Sequence, residues 1–337
     1  MIKAAIAKIV KGENLSREEM KDAFGGIMSG QAKEPEIAAF ITALRMKGET
    51  ADEITGGAEI MRKFATQVKT KHKKVLDTCG TGGDGAGTFN ISTISAFVAC
   101  GAGVAVAKHG NRSVSSKCGS ADLLKELGVN IEVSVEVVEK CLDEIGIGFL
   151  FAPLLHGAMK YATPVRRQIG IRTVFNILGP LTNPAGATNQ LLGVYDKKLA
   201  EPLANVLKNL GSSHALVVHG LDGLDEVTTT GKTFIAEVKD GSVKTYELNP
   251  EDFGFSKSKV KDLTGGDAGL NAKIALDVLA GKKGPRLDIV LLNSGCAIYA
   301  ADKAKSVKEG IGLARTSVSS GKALEKLNKL KEFTNKK

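Results

Sequence analysis

Two stretches dense in glycine and small polar residues carry the groups from which an oxyanion site is built. The first runs Asp77-Thr78-Cys79-Gly80-Thr81-Gly82-Gly83-Asp84-Gly85-Ala86-Gly87-Thr88-Phe89-Asn90-Ile91-Ser92-Thr93. The second is Lys108-His109-Gly110-Asn111-Arg112-Ser113-Val114-Ser115-Ser116. Lacking a Cβ, glycine lets backbone N–H groups close around an anion. A helix starting just behind such a loop adds unpaired donors and a favourable dipole. Each stretch follows a short apolar run, Val75-Leu76 and Val104-Ala105-Val106-Ala107, and each leads into a helix-like segment. Two such cradles on neighbouring strands suit a ligand with phosphate at both ends.

Neither common nucleotide motif accounts for them. Gly80-x-Gly82-x-x-Gly85 has the dinucleotide spacing, but the next strand ends in Lys108-His109 where that fold needs an acid for the ribose. Gly82-x-x-x-x-Gly87 has the P-loop spacing, but Thr88 stands where the phosphate-binding Lys belongs. Taken together with Gly119-Ser120-Ala121-Asp122, the two stretches closely resemble the anthranilate phosphoribosyltransferases. The likeness continues through Pro164-Val165-Arg166-Arg167, the run from Arg172 to Pro184, and Gly223-Leu224-Asp225-Glu226, in the family's order over nearly the whole chain. One departure is His156-Gly157-Ala158-Met159, where many relatives have His-Pro-Ala-Met; the swap loosens a turn near the acceptor pocket.

The resemblance implies transfer of phosphoribosyl from phosphoribosyl pyrophosphate (PRPP) to anthranilate, with Mg²⁺ as cofactor, giving N-(5-phosphoribosyl)anthranilate and pyrophosphate for tryptophan synthesis. It places Gly80, Gly83, Asp84, Thr88, Asn90, Ile91, Ser92 and Thr93 along one side of PRPP. Lys108, His109, Gly110, Asn111, Arg112, Ser113, Val114, Ser115, Ser116 and Ser120 form the other side. Asp84, an acid in an anion site, either caps its own turn or meets Mg²⁺ or ribose hydroxyls. Ser92, Asp225 and Glu226 are assigned to the metal, with Asp222 a further candidate. Arg166 is assigned to the acceptor's carboxylate, which a planar guanidinium grips bidentately. Its neighbour Arg167 points roughly 100° away on a helix and is expected in a structural ion pair. Gly80, His109 and Asn111 are expected to line the acceptor pocket. Such a reaction needs positioning and charge neutralisation. It needs no covalent nucleophile and no strong general base, because an aromatic amine attacks unprotonated. A pyrimidine nucleoside phosphorylase-like enzyme and a non-catalytic, nucleic-acid-binding relative are the alternatives; the Asn90–Thr93 and Lys108–Ser116 motifs with Arg166 favour the transferase over the first, and the retained Asp225-Glu226 and Arg166 over the second.

The elements that must hold these residues fall into two sets. Residues 1–68 read as helices only, forming a small all-helical domain that, the resemblance implies, is joined in space by part of 163–185. Ser16-x-x-Glu19 and Thr50-x-x-Glu53 are capping boxes, Pro35 suits a first helical turn, and Gly30 and Gly48 mark helix ends. Four short helices bury little alone, so a homodimer contact is expected there. After a basic hinge at 67–74, residues 74–337 alternate strand and helix signals, which predicts an α/β domain with a mostly parallel central sheet. Strands are expected at Val75–Cys79, Val104–Ala107, Phe149–Phe151, Leu191–Tyr195 and Ala215–His219. Thr233–Val238 and Ser242–Glu247 read as an appended hairpin, and Leu287–Leu292 as a last buried strand before two C-terminal helices.

Composition narrows the classes further. The net charge of the 337 residues is +9, spread over Lys69–Lys74 and the C-terminal lysines, and aromatics are only 5%. Nucleic-acid binding would want aromatic platforms, so these lysines read as a solvated helix face and linker, and the general positive field would help steer a polyanionic substrate. Five scattered cysteines form no CxxC or Cys/His cluster, which argues against zinc and disulfides and for a reducing cytoplasm. The amino terminus lacks the pattern of a signal peptide, and no apolar run has membrane length.

Overall fold

The computed structural model describes residues 2–113 and 117–336. Four helices open the chain: α1 (Ile2–Val10), α2 (Arg17–Met28), α3 (Glu34–Lys47) and α4 (Ala51–Phe64). The hydroxyls of Ser16 and Thr50 cap α2 and α4, and the carboxylates of Glu19 and Glu53 return the contact to the capping residues' N–H groups. Pro35 lies in the first turn of α3, and Gly48 ends it at φ 89°. The helices pack around Phe24, whose ring centroid is 6.1 Å from Phe40 and 5.4 Å from Phe175. The second of these partners belongs to the segment that crosses back from the α/β part of the chain.

That part is built on seven strands: β1 (Leu76–Gly80), β2 (Val106–Gly110), β3 (Ile147–Phe151), β4 (Asn189–Gly193), β5 (His214–Gly220), β6 (Thr233–Lys239) and β7 (Ser242–Leu248). Their order is β3-β2-β1-β4-β5-β6-β7. The first five are parallel, and the β6–β7 hairpin extends the sheet antiparallel to β5. Asp240 (φ 49°) and Gly241 (φ 71°) turn that hairpin in the left-handed conformation an Asp-Gly pair adopts. Alternation along β5 feeds two cores. Leu216 and Val218 join the C-terminal helices, while Ala215 and Val217 join the N-terminal ones. An N-terminal helical bundle thus stands on one face of a mostly parallel α/β sheet.

Chain direction reverses between β1 and β4: β1 leads outward to β2 and β3, and the chain then crosses back to β4. The carboxyl ends flanking such a switch point form the crevice where open α/β sheets take ligands. Gly80 and Gly193, paired in register, are the last residues of those two strands. Helices α5 (Ile91–Gly101) and α6 (Ser120–Glu126) follow the two glycine-rich loops.

Two expectations are corrected. Leu287–Leu292 is no strand but part of the helix Pro285–Ala300. A continuous apolar run reads alike for a buried strand and a buried helix; the first-turn Pro285 and the length of the run decide for the helix. The segment 67–74 is no free hinge. The Val68 N–H donates to the Pro184 carbonyl at 3.0 Å, the Lys69 N–H to Glu139 at 2.7 Å, and Thr70 Oγ1 to Asp143 at 2.6 Å. At the amino ends of the strands, buried His214 lies between Asp302 (Nδ1, 2.6 Å) and Glu237 (Nε2, 3.0 Å), and the Tyr299 hydroxyl donates to Glu237 at 2.7 Å. This network fastens the end of the Pro285–Ala300 helix to β5 and β6. Among the described residues no helix is long and apolar enough to cross a membrane.

Candidate active site

The first glycine-rich loop leaves β1 at Gly80 directly beneath Asp225, which arrives on the loop after β5. A Cβ added to Gly80 would sit 2.7 Å from Asp225 Oδ2, and one added to Gly193 would overlap the Asp225 carbonyl. The two strand-end glycines therefore make room for the acid. Asp225 Oδ2 accepts from the Gly82 N–H at 2.9 Å, and Glu226 Oε1 accepts from the Ser92 N–H in the first turn of α5 at 3.2 Å. Asp84 is reached from the same side. One of its oxygens accepts from the Ala86 N–H at 3.2 Å, an Asx turn, while Oδ2 is buried without a partner among the described residues. The turn bond is the contact observed for Asp84.

The half-buried carboxylates of Asp84, Asp225 and Glu226 lie near enough to repel one another. Burial, reinforced by Asp84, pushes Asp225 up to about 7. Burial and then Asp225 hold Glu226 well above the ordinary range. Lys108, itself buried, opposes the rise at Glu226. Among the described residues no three His, Cys, Asp or Glu side chains form a ready-made metal cage. Mg²⁺ does not require one, because it is commonly held by one or two carboxylates plus substrate phosphates. The Asp84 oxygen left unpartnered among the described residues and the mutually repelling Asp225–Glu226 pair beside the glycine-rich loop fit that ion.

The second loop forms the other wall. Lys108 points inward from β2 and its Nζ donates to the Thr78 carbonyl, so its charge lies under the first loop. Asp77, fully buried, accepts from the His109 N–H at 3.1 Å and from Asn183 Nδ2 at 2.8 Å; burial raises it to about 6. The His109 and His156 rings meet Nε2 to Nε2 at 3.1 Å. Burial holds His109 near 3 and His156 near 4, so both are neutral and one donates to the other. Gly157 has open space around a notional Cβ. Asn111 Oδ1 accepts from the Arg112 N–H at 2.7 Å, and Arg112 turns to Glu132 at 3.1 Å. The Asp122 carboxylate ties the loop's two described ends, accepting from the N–H groups of Ser113 at 3.1 Å and Gly119 at 2.9 Å. Ser120 Oγ donates to the Asn111 carbonyl at 3.3 Å, and Gly110 packs against Ser120 and Phe149. Val114, Ser115 and Ser116 lie outside the described residues.

Other expected groups are engaged differently from one another. Asn90 is occupied at both ends, donating to the Cys118 carbonyl and accepting from Asn271, each at 3.0 Å. Ile91 and Thr93 are buried in the first turn of α5. Thr88 bridges to Thr264, and the Gly265 N–H donates to the Gly87 carbonyl at 2.9 Å, so residues 260–266 clip the far end of the glycine loop. Asp222 is committed to Thr228, at 2.7 Å, and Thr230, away from the other acids. Arg166, half-buried, lies 5.2 Å over the Phe175 ring and has no anionic partner among the described residues. Arg167 is exposed and forms no ion pair among the described residues, so its expected structural pairing is not found. Sequence reasoning gave no role to Asn183, Asp122, Arg172 or Thr264. Asn183 and Asp122 lie in motifs already quoted, whereas nothing local marks Thr264.

Two family models cover the chain: a glycosyl transferase family helical bundle domain at residues 3–65 and a glycosyl transferase family a/b domain at 72–324. Anthranilate phosphoribosyltransferase of Pelotomaculum thermopropionicum is 56% identical over 334 residues, 99% of this chain and 97% of the relative. The crystal structure of anthranilate phosphoribosyltransferase from Thermus thermophilus superposes with a TM-score of 0.94 at 43% identity, covering 98% of this chain and 99% of that one. That of Saccharomyces cerevisiae in complex with PRPP and Mg gives 0.91 at 32% identity, over 99% and 97%.

Proposed function

The chain belongs to the anthranilate phosphoribosyltransferases of this glycosyl transferase family, and from that premise we propose how its own residues divide the work. The reaction joins the anthranilate nitrogen to C1 of the ribose as the bond from C1 to the pyrophosphate oxygen breaks. Pyrophosphate leaves with the electron pair, and the nitrogen gives up a proton. Positive charge gathers on the ribose and negative charge on the leaving group, so the protein's task is to hold both ends and compensate the charge.

The observation that carries this reading is the gathering of Asp84, Asp225 and Glu226 at the switch point, directly against a loop rich in backbone donors. The N–H groups of the glycine-rich loop from Gly83 onward cradle phosphate oxygens, those of Gly82 and Ser92 being given to Asp225 and Glu226, and Lys108 places a positive charge beneath the loop. Asp225, Glu226 and the Ser92 hydroxyl would hold Mg²⁺, with Asp84 Oδ2 beside them; when bound, the ion neutralises pyrophosphate charge. Arg166, a guanidinium without an anion, takes the acceptor's carboxylate, and Asn111 with the neutral His109 borders its ring. Neutral imidazoles suit that place, because they neither repel the guanidinium nor compete for the carboxylate.

Residues 1–68 with part of 163–185 act as one domain and 74–337 as the other. The exposed Val10 and Met46 on the helical bundle support a homodimer contact there. The chain works in the cytoplasm, whose reducing poise suits five cysteines that carry no disulfide. Anthranilate fluorescence tests the whole reading. Consumption is expected only when PRPP and Mg²⁺ are both present; turnover without PRPP, or none with all three, would overturn it.

A further inference from the structure

The geometry points to Arg172 as a positioning residue for PRPP, clamping the glycine-rich loop from the segment that connects to the helical bundle. This rests on the phosphoribosyl-transfer reading above. Arg172 is only half-buried, yet its guanidinium is held on three sides. Its Nη2 donates to the Gly82 carbonyl at 3.1 Å and reaches the Thr81 carbonyl at 3.4 Å. Its face lies 4.1 Å over the Tyr195 ring. The guanidinium also packs on Gly83, at φ 86°, so closely that any Cβ there would collide with it. Tyr195 is fixed in turn, since its N–H donates to Thr81 Oγ1 at 3.2 Å. Gly83 therefore serves two ends at once, a left-handed turn and the seat of an arginine.

The consequence follows from peptide planarity. In a trans peptide the carbonyl and the following N–H point in opposite directions. Fixing the oxygens of Thr81 and Gly82 toward Arg172 turns the N–H groups of Gly82 and Gly83 the other way. The Gly82 N–H is the donor that holds Asp225 Oδ2 at 2.9 Å. The Gly83 N–H, next along, faces the cradle. One guanidinium thereby orients both a carboxylate of the metal site and a donor for phosphate. Its Nε–H is buried without a partner among the described residues. A lysine would keep the charge and lose both the fork and the stack.

R172A and R172K are compared with the wild type, with R167A as the surface control. Loss of the charge-assisted grip should raise the PRPP KM about tenfold to a hundredfold and the Mg²⁺ concentration for half-maximal rate in parallel. The anthranilate KM should stay within about twofold. In the absence of any substrate, amide hydrogen exchange across residues 81–90 should quicken by about tenfold or more in R172A. R172K should recover the thermal midpoint but not the PRPP KM. An unchanged PRPP KM with unchanged exchange, or an anthranilate KM that rises as much as that for PRPP, would overturn the assignment. Should R172A fail to fold, R172K carries the same readings. The exchange measurement needs no turnover, so its failure is distinct from failure of the proposed reaction.

Discussion

Arg166→Ala isolates the acceptor end of the site. The guanidinium lies 5.2 Å over Phe175, half-buried, with burial pulling its pKa down and no anion beside it among the described residues. A charged group kept in that state is favourable only when an anion arrives. Truncating one member of such a pair costs about 2–5 kcal/mol. The site is open on one side, so solvent screening places the loss near the lower end, about 2–3 kcal/mol, or roughly 30- to 150-fold in kcat/KM. The whole change should fall on the anthranilate KM and leave the PRPP KM within about twofold. Arg166→Lys should recover only part of it, because an ammonium neither forks onto a carboxylate nor lies flat on Phe175. Arg167→Ala is the internal control, exposed and unpaired one position on. Initial rates read from anthranilate fluorescence over a grid of both substrates separate the two KM values. Equal losses at Arg166 and Arg167, or a PRPP KM that rises more than that for anthranilate, would refute the reasoning and move Arg166 to the phosphate end.

Replacing Asp225 by Asn and Glu226 by Gln should abolish Mg²⁺-dependent turnover by about a hundredfold or more without lowering the thermal midpoint, since uncharged amides still accept from the Gly82 and Ser92 N–H groups; a variant with unchanged Mg²⁺ dependence would remove the pair from the metal site. Gly193→Ala must displace the Asp225 carbonyl and should cost about 1–3 kcal/mol in urea unfolding together with most activity. Gly231→Ala, where a Cβ meets nothing within 4 Å, should do neither. Glu237→Gln probes the His214 network. Burial works to raise the Glu237 pKa, but hydrogen bonds from His214 and Tyr299 outweigh it and leave the value lowered. A depressed folded pKa contributes stability above the ordinary glutamate range that is lost as pH falls through the folded value. The variant should therefore unfold about 1–3 kcal/mol more easily at pH 7, with the gap closing in acid; a gap independent of pH would refute the charge argument.

What was legible in the chain was local. Glycine density, the capping boxes at Ser16 and Thr50 and the Asp-Gly hairpin turn each report on a few consecutive peptides, and the backbone obeys them. The two loops could be read as anion cradles because strand, loop and helix follow one another directly. The convergence of Asp84 with Asp225 could not be read from spacing, since it depends on β4 inserting beside β1. Arg172, although it opens a motif of the family likeness, and Thr264 reach the glycine loop from far along the chain, and nothing local marks either contact. Leu287–Leu292 misled because burial on all sides removes the periodicity that distinguishes helix from strand. The lysines of 67–74 suggested a solvated hinge, yet the backbone N–H groups there found Glu139, Asp143 and the Pro184 carbonyl, acceptors that only the fold supplies.

The shared core around Phe24 bears on the order in which the chain is made. Met20, Phe24 and Ile27 leave the ribosome early, but the residues that complete their core, Phe175, Leu192, Leu203 and Val238 among them, come much later. At about 5–20 residues per second, synthesis of the intervening chain takes on the order of 10–40 s. Throughout that interval the amphipathic helices have only one another to cover their apolar faces. The bundle is the first part synthesised, yet its burial waits for the arrival of β6, while the core on the other face of the sheet waits longer still, for Leu327 and Leu330.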